Sequence, residues 1–114
     1  MQNIPVEHLT RIAESHLGTV MSVTGILVSQ IQDQFWLISK KEDIVSGDAI
    51  LLSHPQLVEL LFETVPHLGG GHSYFHRAVV TGVIRPLEEQ PPILKLCNLT
   101  YLEVFTRENS YRLL

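Results

Sequence analysis

The chain has 114 residues, of which 45% are hydrophobic, with eight Lys and Arg against twelve Asp and Glu for a formal net charge of −4. That is enough chain for one hydrophobic core and too little for two, and too apolar for disorder. No apolar run approaches the roughly 18–20 residues that span a bilayer, and no basic stripe of the kind that tracks phosphates is visible along the sequence.

The first sixteen or so residues, "NIPVEHLTRIAESHLG" at 3–18, read as a helix. Asn3 is placed to cap it, Pro5 sits where an early proline is tolerated, and Val6, Leu9, Ile12, Ala13 and Leu17 recur at helical spacing before Gly18 ends it. From Thr19 the period changes. "TVMSVTGILVSQ" is β-branched and long, and "QFWLIS" follows after a polar break, so the two form an expected hairpin. Met21 and Val23 share one parity, Ile26 and Val28 the other. A bulge at Gly25 would return all four to one side.

A turn-rich connection containing Lys40 and Lys41 leads into "AILLS", a third strand. "SHPQLVELLFETVP" then carries a capping box, Ser53 with Gln56 three residues on, and the stripe Leu57, Val58, Leu61, Phe62 and Val65 of a second helix that ends at Pro66. After the loop "HLGGGHSY" come "FHRAVVTGVIRP" and "ILKLCNLTYLEVF", the fourth and fifth strands.

This order, together with the near-repeat of "VTGIL" at 23–27 and "VTGVI" at 80–84, resembles the OB-fold, a five-stranded Greek-key barrel with a helix between its third and fourth strands. The expected class is mainly β with helices, and the resemblance covers about residues 19–105. Residues 1–18 form an extra helix packed on the barrel and 106–114 a tail. In that fold the first strand is strongly bent and pairs with the fourth, so Gly25 and Gly82 would be bend points in neighbouring strands. The same element order also fits an α+β sandwich.

The residues that could carry chemistry are sparse. His72 and His76 lie in a loop running into a strand, without the third and fourth ligands that zinc needs, and His8, His16, His54 and His67 are scattered. Cys97 alternates in a strand as a small buried thiol, and, with no second cysteine to pair with, points to a cytoplasmic or other reducing intracellular compartment. Glu88 and Glu89 read as a solvated pair in a turn, and the glycines at 69–71 lack the Lys-Ser or Lys-Thr of a phosphate loop. No catalytic residue, cofactor or metal is expected.

A binding surface remains. The resemblance implies a ligand face across the second and third strands, framed by the first–second and fourth–fifth loops. Either Phe35 and Leu37 or Trp36 and Ile38 face outward there. The polar neighbours Gln34 and Lys40, which share parity with Trp36, favour the latter. The competing arrangement packs Trp36 under the N-terminal helix. Trp36, Lys40, Lys41, Arg85 and Lys95 are the candidate face, and Gly25, Gly82 and Ser53 the structural positions. The expected function is a non-catalytic binding module whose partner is another protein or a second copy. The alternative is a single-stranded DNA- or RNA-binding protein that stacks bases on Trp36 beside those cations. Tyr111, Leu113 and Leu114 at the terminus are expected to dock, on their own barrel or on a neighbour, and no membrane association is expected.

Overall fold

A computed structural model describes residues 3–30, 34–39, 49–64, 75–87 and 93–114. The strands are β1 (Asn3–Pro5), β2 (Val20–Gln30), β3 (Gln34–Ile38), β4 (Ala49–Leu52), β5 (Phe75–Leu87), β6 (Ile93–Phe105) and β7 (Ser110–Arg112); the helices are α1 (Val6–Ile12), continued as a 3-10 turn over Ala13–His16, and α2 (Leu57–Thr64). Hydrogen bonding runs β2–β3–β4–β6–β5 and returns from β5 to β2. This is a closed five-stranded barrel, mainly β, with a helix between its third and fourth strands. β4 and β6 are parallel and the other barrel pairs antiparallel. Among the described residues no helix is long and apolar enough to cross a membrane.

The two glycine motifs meet at the centre of one strand pair. Val23 lies directly opposite Val80, so "VTG" in β2 and "VTG" in β5 run antiparallel about that contact. The bulge expected at Gly25 is absent: the register of β2 with β5 runs unbroken through it, and the pairing of β2 with β3 begins at Ile26. Gly25 is instead a notch. A Cβ there would lie 2.6 Å from Val6 Cγ2 of α1 and 2.9 Å from the Ile38 carbonyl oxygen. The irregularity belongs to the other motif. The β5–β6 register jumps between Thr81 and Val83, pairing them with Tyr101 and Cys97, and Asn98 in the displaced loop of β6 has φ 51°.

The N-terminus also differs from the expected helix. Asn3 does not cap α1. It begins β1, which runs parallel to Ser22–Thr24 of β2, and its Oδ1 accepts a hydrogen bond from the buried Ser22 hydroxyl at 2.7 Å. The partner edge of β2 competes with helix propensity here and wins, because the pairing satisfies backbone groups that a frayed first turn would leave open. Val6 and Leu9 are fully buried in the core, whereas Leu17 at the far end is 42% exposed. The core therefore joins α1 to the barrel interior, which is lined by Val23, Leu27, Phe35, Leu37, Ile50, Val80 and Leu102 and shared with Leu57 and Leu61 of α2.

α2 starts one turn later than the Ser53 box places it. Its first helical bond runs from the Leu60 N–H to the Gln56 carbonyl, and His54 Nδ1 accepts from the Gln56 N–H at 3.1 Å. The exposed Ser53 uses its own N–H on the Leu96 carbonyl, which ties the end of β4 to β6. At the C-terminus, Thr106 and Asn109 close a tight turn through three hydrogen bonds. β7 then pairs with Glu103–Phe105, and Tyr111, Leu113 and Leu114 pack against the core of their own barrel.

Candidate surface for partner binding

Strand alternation divides β3 cleanly. Phe35 and Leu37 are in the core, and Trp36 and Ile38 take the opposite parity on the outer wall. Register then decides who stands beside Trp36. It is opposite Val28 of β2 on one side and Leu51 of β4 on the other; Leu51 is opposite Lys95 of β6, and Lys95 opposite Arg85 of β5. Residues directly opposite share a face. Val28, Trp36, Leu51, Lys95 and Arg85 thus form one transverse row round the outside, with neighbours about 4.8 Å apart. A second row, offset by two residues along β2, β3 and β4, places Ala49, Ile38, Ile26, Arg77 and Phe105 in sequence.

The structure therefore brings together three of the five candidate residues, Trp36, Lys95 and Arg85. Lys40 and Lys41 lie outside the described residues. Arg85 is exposed, with its guanidinium leaning toward Gly18, and Lys95 is half-buried. Two residues the sequence reading passed over complete the surface. Leu51 bridges the indole to Lys95, and the exposed Arg77 flanks Ile26. The parity of "RAVVTGVIR" could have flagged Arg77 and Arg85 as facing the same way, but nothing local places Leu51 beside Trp36.

The middle of this surface is aliphatic round a single indole. Ile26, Trp36 and Leu51 are half-buried, and Val28 and Ile38 are buried although they point away from the core. The Trp36 Nε1–H is buried and has no acceptor among the described residues, a cost of about 1–3 kcal/mol for a donor removed from water. Among the described residues it is packing, and no hydrogen bond, that holds the indole.

Elsewhere the polar groups are structural. Tyr101 donates a short hydrogen bond to Glu103 and lies under the Arg112 guanidinium, 4.8 Å from the ring centroid. The bond to Glu103, followed by desolvation and the carboxylate charge, raises the Tyr101 hydroxyl above its usual range against the opposing Arg112. Cys97 is not the buried thiol expected. It is half-exposed on the outer wall, with Sγ 3.6 Å from the Val83 carbonyl. His72 lies outside the described residues. His76 points toward the interior side of β5 opposite Leu27, with Nε2 removed from solvent. Among the described residues no group of three or more His, Cys, Asp and Glu converges on one point.

Burial lowers the His76 pKa below 6.5. The folded state then holds fewer protons than the unfolded chain, so this histidine contributes stability above 6.5 that is lost as pH falls through and below that value. Thermal melts stepped downward across this window should show a falling midpoint, and His76→Gln should flatten the fall. An equal slope in both proteins would assign the effect to other groups. In sequence, neither a protein-family model nor a curated protein matches this chain.

Proposed function

We propose that this chain is a non-catalytic binding module of the OB-fold superfamily that docks another protein on the outer wall of β2, β3 and β4. One observation carries the reading. The half-buried residues Ile26, Trp36 and Leu51, with the buried Val28 and Ile38 beside them on the same face, form a strip that is aliphatic round one aromatic residue. Such a strip accepts apolar side chains and rewards their burial at about 25 cal/mol per Å². An unanchored indole at its centre can re-seat against a partner, and tryptophan is among the side chains that dominate interface energetics. Closed barrel order and the interposed helix support the superfamily assignment, and the lone Cys97 suits a reducing intracellular setting.

Single-stranded nucleic acid is the second reading, drawn from Trp36 in one row with Lys95 and Arg85. It is weaker because successive bases need successive aromatic faces, and the neighbours of Trp36 on this wall are Val28 and Leu51.

A photo-crosslinking amino acid placed at Leu51 and, as control, at the exposed turn residue Arg107 separates the two readings in the cells that make the protein. Position 51 should yield a discrete adduct sensitive to protease and indifferent to nuclease, and position 107 should not. A nuclease-sensitive adduct, or identical products from both positions, would sink the reading.

A further inference from the structure

We propose that the segment docked on this strip is acidic at both of its ends, with apolar side chains between; this rests on the reading that the strip binds protein. The ground is a segregation of charge. The whole chain carries eight Lys and Arg against twelve Asp and Glu. The seven strands carry Arg77, Arg85, Lys95 and Arg112 against Glu103 alone. The barrel wall is therefore cationic on an anionic protein.

Three of those four cations border the strip. Lys95 follows Leu51 at the β6 side, with Arg85 directly opposite it on β5, and Arg77 follows Ile26 at the other side. Like charges facing each other across neighbouring strands repel, and neither Lys95 nor Arg85 forms an ion pair among the described residues. Arg112, the fourth, is already seated on the Tyr101 ring. An anion supplied from outside would relieve the Lys95–Arg85 repulsion, and a second would meet Arg77.

The spacing sets the length of the segment. From Arg77 to Lys95 the wall crosses β2, β3 and β4, four strand steps of about 4.8 Å, or roughly 15–20 Å once curvature is counted. An extended peptide of about five or six residues covers that distance. The apolar interior supplies the anchor, and the flanking carboxylates select the partner and speed its approach.

Selection of random peptides displayed on phage against the immobilised full chain tests this, with Leu51→Asp as the counter-selected protein. Enriched peptides should carry Asp or Glu on both sides of an apolar pair. Because Trp36 is the sole tryptophan, its fluorescence reads their titration directly. Affinity should fall by about tenfold on Arg77→Glu or Lys95→Glu and fall further with added salt. Lys95→Gln should give a smaller step in the same direction, and circular dichroism of each variant should show the fold intact. Enrichment of neutral or basic peptides that still depend on Leu51 would leave the strip as a protein site and overturn its preference for acid. Enrichment no better than on Leu51→Asp would overturn both. Oligothymidylate shifting Trp36 fluorescence at lower concentration than any selected peptide would overturn both in favour of nucleic acid.

Discussion

Gly82→Ala should lower stability by about 3 kcal/mol, a large share of what a domain of this size possesses. A Cβ at this position would lie 2.7 Å from the Cys97 carbonyl oxygen, 2.8 Å from Leu99 Cδ2 and 3.0 Å from Leu96 Cγ. The leucine atoms can turn aside. The carbonyl cannot, because it belongs to the β6 segment where the register jumps and Asn98 holds a left-handed backbone. Relief would require β5 and β6 to separate along the most extensive strand pair of the barrel. Gly25→Ala should also destabilise, since its Cβ would lie 2.6 Å from the Val6 methyl, which can move with α1, and 2.9 Å from the Ile38 carbonyl oxygen, which cannot. Combined with Val6→Ala, the Gly25 effect should shrink, a coupling that a double-mutant cycle in urea reads directly. Equal midpoints for wild type and Gly82→Ala would mean that the two strands do not approach this closely.

Leu9→Ala should cost about 2–5 kcal/mol, as for any large aliphatic side chain removed from a packed core. Leu9 is fully buried with Val6, so α1 is part of the barrel's interior packing and not an ornament on its outside. A chain starting at Thr19 would lose both side chains, the partly buried Ile4 and the three β1–β2 pairs together. Loss on that scale exceeds the ordinary margin of stability, so the shortened protein should show no cooperative thermal transition. A sharp melt at the wild-type midpoint would make residues 1–18 an appendage after all.

How legible this was in the sequence depends on the range of the interaction concerned. Strand periodicity located all five barrel strands to within a residue or two, because side-chain alternation is a property of neighbours in the chain. Polar neighbours at even positions favoured an outward Trp36 but did not decide between it and Phe35. Local rules misled wherever a distant segment supplied a better partner. Asn3 has the residue type of a helix cap, yet Ser22, nineteen positions away, takes its side chain. Ser53 has the spacing of a capping box, yet Leu96 takes its N–H and His54 caps instead. Gly25 has the parity break of a bulge, yet the space it leaves is filled by a helix from elsewhere in the chain.

The candidate surface divides the same way. Composition and alternation alone determined a barrel-forming set of strands and named Trp36, Arg85 and Lys95 as candidates, but left open whether Trp36 or Phe35 faces outward. That these stand in one row, with Leu51 between and Arg77 beyond, was decided only when β4 paired with β3 on one side and with β6 on the other. Alternation specifies a face but not a neighbour. Neighbours come from register, and register is set by how the whole barrel closes over its core.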